Sequence, residues 1–119
     1  MVSTDTFQEI ALSLEEAVKL LHFEKISFRV NKKIFATLDL KNKRACLKLN
    51  SLDQSVFSDF DPQHIYPVPG AWGKKGFTFF ELAHIRKDLL KDALATAFCE
   101  VAPQRLSSKV NTTRMKKVE

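Results

Sequence analysis

Three histidines, two cysteines and a 24-residue stretch holding eight cations are the residues of this sequence whose types could do chemistry. His22, His64 and His84 fall on different segments, with no His-x-x-x-His pair and no carboxylate at ligand spacing, so they form no metal motif. Cys46 and Cys99 are not in CxxC spacing, which gives neither a disulfide framework nor a zinc site. Both are read as reduced and structural, acting as small hydrophobes. Cys46 stands between Arg44 and Lys48, which would lower its pKa, but no partner base with a recognisable signature accompanies it. The expectation is a chain that is not an enzyme, with no metal, no cofactor and no disulfide.

The cations are unevenly placed. The formal net charge is +5, yet residues 103–119 alone carry +4 and residues 1–102 only +1. Within the latter, residues 1–24 sum to −4, residues 25–48 to +7 and residues 49–102 to −2. The overall basicity therefore says little, whereas the 25–48 block is a local signal. It reads either as a solvated sheet guarded by lysines against edge pairing or as a phosphate-binding surface. A second cluster is the loop Gly70-Ala-Trp-Gly-Lys-Lys-Gly76. Its glycine spacing is no dinucleotide or P-loop fingerprint, and no Lys-Ser/Thr pair follows it. Trp72 reads either as a lid over a sheet edge or as a ring that stacks on a base. Arg86 and Lys87 open the last helix, where the dipole disfavours cations, with Glu81 upstream as the expected counter-charge.

The elements that must position these groups follow from periodicity. With 45% hydrophobic and 28% charged residues in 119, the chain fits one folded domain. Phe7, Ile10 and Ala11 have helical spacing, and Ser13-Leu-Glu-Glu16 fits a capping box that restarts a helix through Leu14, Val18 and Leu21. Residues 26–31, 34–40 and 44–49 alternate as a three-strand meander. In it Ile34, Ala36, Leu38 and Leu40 face inward with Phe35 and Thr37 opposite, while Ala45, Leu47 and Leu49 face inward with Arg44, Cys46 and Lys48 outward. Ser51-Leu-Asp-Gln54 opens a short helix to about Phe60. Short strands at 64–68 and 77–81 and a helix from about Ala83 to Ala102 complete an α-β-β-β-α-β-β-α order. That is an α+β two-layer sandwich with one antiparallel sheet and helices on one face. Residues 104–119 read as a flexible basic tail on a single domain of residues 1–103. Residues 1–24 have the wrong charge for a leader, and no apolar run reaches membrane length, so the expected location is the cytoplasm, with no membrane partner.

The tracts HFEKISFRVNKKIFATL (22–38), RACLKL (44–49), YPVPGAWGKKGFTFFEL (66–82) and RKDLLKDALATAFCEVAP (86–103) resemble the MmcQ/YjbR family, in the family's order. The resemblance implies a single-domain bacterial protein, and carries the label of a predicted DNA-binding protein of double-wing type. On that reading Arg29, Lys32, Lys33, Lys43, Arg44, Lys48, Trp72, Lys74 and Lys75 are the nucleic-acid-binding residues. Binding would be weak and phosphate-dominated, with little sequence discrimination, since no helix-turn-helix or zinc finger is present. Two rivals stand beside it. One is a protein-interaction, chaperone-like module. The other is a small-molecule sensor whose ligand lies on the open sheet face, lined by Phe35, Trp72 and Cys46.

Overall fold

The computed structural model describes residues 2–110. The α+β class and the single antiparallel sheet are as the sequence predicts. The sheet has six strands, one more than the periodicity reveals: β1 (Val18–His22), β2 (Lys25–Val30), β3 (Lys33–Asp39), β4 (Arg44–Lys48), β5 (Ile65–Pro67) and β6 (Phe77–Glu81), in spatial order β1-β2-β3-β4-β6-β5. The helices are α1 (Thr4–Leu12), α2 (Ser51–Phe60), a one-turn α3 (Ala71–Lys74), α4 (Lys87–Val101) and a one-turn α5 (Gln104–Ser107). None of them is long and apolar enough to cross a membrane.

Three phenylalanine pairs fasten helices to sheet, each edge to face: Phe7 of α1 on Phe28 of β2 (5.6 Å), Phe98 of α4 on Phe35 of β3 (5.6 Å), and Phe57 of α2 on Phe80 of β6 (5.9 Å). All six rings are buried. Such pairs add about 0.5–1.5 kcal/mol each beyond the area they bury. The inward set of β4 is as expected, with Ala45, Leu47 and Leu49 buried.

Strand β3 departs from simple alternation. Its pairing with β2 slips between Phe28↔Ala36 and Arg29↔Ile34, leaving Phe35 as an extra residue. A bulge of this kind lets two successive side chains point the same way. Phe35 and Ala36 are both buried, and Ile34 emerges on the opposite face, 37% exposed. This corrects the expectation that placed Phe35 outward and Ile34 inward. Phe35 therefore lines no surface pocket.

The first connection also departs from the sequence reading. Ser13 closes α1, its N–H bonding back to Glu9 and Ile10, and no helix restarts there. Val18 and Leu21 lie instead on β1, all of whose residues are exposed. An edge strand with both faces wet shows no two-residue alternation, and the chance four- and three-residue spacing of Leu14, Val18 and Leu21 mimics a helix. In α2 the cap is Asn50, one residue before the serine expected to cap it, and its side chain accepts from Asp53 N–H at 2.8 Å. A 3-10 turn, Leu82–His84, fills the start expected for the last helix.

Beyond Pro103 the chain does not leave the domain at once. Leu106 of α5 is buried, Arg105 forms a forked pair with Glu16 (2.7 and 3.1 Å), and Lys109 reaches Glu15 at 3.4 Å. The packed unit thus extends to Val110, and two of the basic tail's cations already face carboxylates of the acidic N-terminal segment. The rest of the expected tail, 111–119, lies outside the described residues.

The bulge sets a clear expectation for stability. Phe35→Ala should cost about 3–5 kcal/mol in urea unfolding, whereas Ile34→Ala should cost about 1 kcal/mol or less. Equal losses would contradict the register.

Candidate binding groove on the open sheet face

Residues opposite one another in a sheet share a face, so the registers sort the uncovered face into rows. The far row runs His22–Lys25–Asp39–Arg44–Glu81, an ion row that alternates in sign after the histidine. The middle row is Leu20–Ser27–Thr37–Cys46–Phe79–Tyr66. The near row is Val18–Arg29–Ile34 on β1–β3 and Lys48–Phe77 on β4 and β6.

In the far row each cation stands in register with a carboxylate of a neighbouring strand, although among the described residues none of these neighbours closes to 4.0 Å. Arg44 lies over the Phe79 ring, its guanidinium carbon 3.9 Å from the centroid, with its buried Nε lacking a hydrogen-bond partner. The Tyr66 hydroxyl donates to Glu81, which raises the phenol's pKa because the bond favours the protonated form. Asn42 donates to Asp39 and, ahead of the charge of Lys25, holds that carboxyl below its usual range. Glu81 is thus committed to Tyr66 and not to Arg86, which instead pairs with Asp88 at 3.3 Å.

The near row has no carboxylate in register with its cations. Among the described residues, Arg29, Lys32, Lys33, Lys48, Lys74 and Lys75 have no carboxylate within 4.0 Å. Arg29 is half-buried, its Nε 3.4 Å from Ser27 Oγ. Lys48 donates to the Lys75 carbonyl at 2.8 Å, which ties β4 to the α3 loop while keeping its charge. Lys32 and Lys33 stand at the β2–β3 tip, where Asn31 and Lys32 both have positive φ (50° and 66°), as a two-residue turn of the primed type requires. Trp72 is 58% exposed, edge to face on Phe77 at 5.2 Å, with Lys75 Nζ 5.1 Å from its ring centre.

Two glycines place this loop. A Cβ on Gly73 would sit 2.0 Å from the Val68 carbonyl oxygen, and one on Gly76, where φ is +104°, would sit 1.7 Å from that of Leu49. Gln54 of α2 fixes α3 by donating to the Gly73 carbonyl at 2.9 Å. The glycine spacing thus serves close backbone packing.

The predicted site residues consequently divide. Arg29, Lys32, Lys33, Lys48, Trp72, Lys74 and Lys75 gather at one end of the sheet. Lys43 sits on the β3–β4 tip and Arg44 in the far row, at the other end of a seven-residue strand of ~20 Å. Across the near and middle rows, and reaching His22 and Lys25 of the far row, lies a groove of about 520 Å³. Its walls are Arg29 and Ile34 on one side and Val68, Trp72 and Phe77 on the other, with Thr37 and Cys46 on the floor. Ile34, Val68 and Phe77 are additions to the predicted set. Phe77 was readable from alternation with buried Thr78, but Ile34 depends on the bulge.

The cysteine and histidine readings change too. Burial raises the Cys46 thiol to about 11, outweighing Arg44, so it is not an activated thiolate. Cys99 is likewise raised by burial. His64 and His84 meet as stacked rings 4.4 Å apart, with Asp61 3.0 Å from His64 Nδ1, a convergence that sequence spacing does not reveal. No group of three or more His, Cys, Asp or Glu among the described residues could hold a metal ion.

The thiol's environment has a measurable consequence. At pH 8, Cys46 in the folded protein should alkylate at least tenfold more slowly than in urea, because a thiol with a pKa near 11 is almost wholly protonated there. Mass-resolved alkylation checks this, and rapid native labelling at Cys46 would contradict it.

No family model and no curated protein matches the chain. Among solved structures, the crystal structure of Deinococcus radiodurans protein DR2400, with a DUF419 domain, resembles it with a TM-score of 0.74 at 20% identity, covering 99% of this chain and 88% of that one. At that identity the likeness shows the fold: this chain has the α+β fold of the DUF419 structure.

Proposed function

We propose that the chain is a binding module of the MmcQ/YjbR type that holds nucleic acid on the near half of its open sheet face. The observation that carries this reading is the pairing of uncompensated cations with an exposed indole. Arg29, which lines the groove that Trp72 walls, and Lys48, whose Nζ lies 5.8 Å from the ring centre of the lining residue Phe77, lack carboxylate partners among the described residues. Cations without internal counter-charges are available to phosphates, and aromatic side chains supply sequence-tolerant stacking. Lys43 and Arg44 are not part of this contact set, because one is at the far tip and the other is spent on Phe79. Arg105 and Lys109 are likewise occupied by Glu16 and Glu15. The chemistry required is binding alone, with no group transfer and no cofactor, and it suits a protein of the cytoplasm.

A protein-interaction reading has one observation in its favour. Leu52, Val56 and Phe60 form an exposed apolar stripe at four-residue spacing on α2, 62%, 42% and 70% exposed. That stripe lies on an element separate from the groove, so a protein partner and a nucleic acid are not alternatives for one surface.

Anisotropy titrations of labelled DNA at several salt concentrations test the nucleic-acid reading. Arg29→Ala with Lys48→Ala should weaken binding to all sequences and flatten the log–log salt slope by about 1.8, two phosphate contacts' worth. Lys41→Ala with Lys43→Ala, at the far tip, should change it little. Equal effects of the two pairs, or binding lost entirely on removal of residues 111–119, would overturn this reading.

A further inference from the structure

The groove's size and lining say more than that the face is basic. Its volume of about 520 Å³ falls within the ~300–1,000 Å³ range of small-ligand pockets. Ile34 on β3 and Phe77 on β6 stand on strands separated only by β4, and so about 10 Å apart. That gap admits one flat ring over Cys46 and Thr37. The walls are apolar and aromatic; Arg29 lines the near end, with Lys48 beside the lining residue Phe77, and Lys25 lines the far end. A flat ring carrying an anionic group matches such a lining.

We propose that the groove takes a single nucleotide unit, its base against Trp72 and Phe77 and its phosphate toward Arg29 and Lys48. This rests on the nucleic-acid reading above and sharpens it: the ligand is a free nucleotide or an unpaired strand, not a duplex. A duplex keeps its bases stacked inside, and extruding one costs a few kcal/mol, while an unpaired base enters without that cost. The Thr37 hydroxyl, on the groove floor, supplies a donor and an acceptor for a base edge.

The chain has one tryptophan, so the indole that walls the groove is also its fluorescent reporter. The full-length protein is titrated with adenosine monophosphate, with a short oligothymidylate, and with a blunt duplex of matching length. Two readouts are followed: Trp72 quenching, and protection of Cys46 from alkylation with Cys99 as the internal control. The expected result is quenching and at least threefold protection of Cys46 by the strand or the mononucleotide, with neither produced by the duplex. Binding by the mononucleotide alone assigns a free nucleotide, and binding by the strand alone assigns single-stranded nucleic acid; both support the proposal. Trp72→Ala should weaken strand binding by roughly 5- to 150-fold. Ile34→Phe, a change at a part-exposed wall position, should weaken it by narrowing the groove. Since variants can misfold, the protection of Cys46 in the unaltered protein decides the matter. Duplex binding with Cys46 unprotected overturns the single-nucleotide proposal and leaves the nucleic-acid reading standing. No response to any of the three ligands overturns both.

Discussion

One extra residue in β3 determines what each face of the sheet presents. With Phe35 unpaired in the ladder, Phe35 and Ala36 both turn into the core and Ile34 turns out. The inward ring meets Phe98 edge to face, and that contact seats α4, the longest helix, against the middle of the sheet. The outward isoleucine becomes one wall of the groove. Without the slip, strict alternation would place Phe35 on the open face and take its ring away from Phe98. Core packing and groove shape are therefore two consequences of the same backbone feature.

The open face acquires its polarity from charge pairing along the rows rather than from the number of basic residues. The block at 25–48 is strongly basic in sequence, but it is spread over both ends of the meander. At the far end Lys25 and Arg44 sit beside Asp39 and Glu81, which register brings in from β3 and β6. At the near end no strand delivers a carboxylate, and the α3 loop brings Trp72, Lys74 and Lys75 instead. Among the described residues none of these cross-strand neighbours closes to 4.0 Å, and charges so placed contribute little to stability. Their effect is to leave one half of the face neutral and the other half cationic.

Much of this was legible in the sequence where one face of an element is buried. The register of β4 could be read from Ala45, Leu47 and Leu49 against Arg44, Cys46 and Lys48, because strand periodicity is strict when only one side is wet. β1 was not legible, because a strand exposed on both sides carries no such pattern. The bulge was not legible, because Ile34 and Phe35 are equally apolar and either can be buried. The α5 turn hides in a polar stretch where Leu106 is the one large apolar residue before Val110. The site residues Arg29, Lys48 and Trp72 were found by type and neighbourhood. Their separation from Lys43 and Arg44 needed the third dimension, since hairpin tips adjacent in sequence lie at opposite ends of a strand.

The central claim is that the near half of the open face, and not basicity at large, receives the ligand. An amide chemical-shift titration of the isotope-labelled protein with oligothymidylate tests it residue by residue. The account predicts perturbations concentrated at Arg29, Ile34, Cys46, Lys48, Trp72 and Phe77, with Lys41–Lys43 and the Asp39–Arg44–Glu81 row unmoved. Shifts confined to Lys41–Lys43 and residues 111–119, with the groove silent, would contradict it.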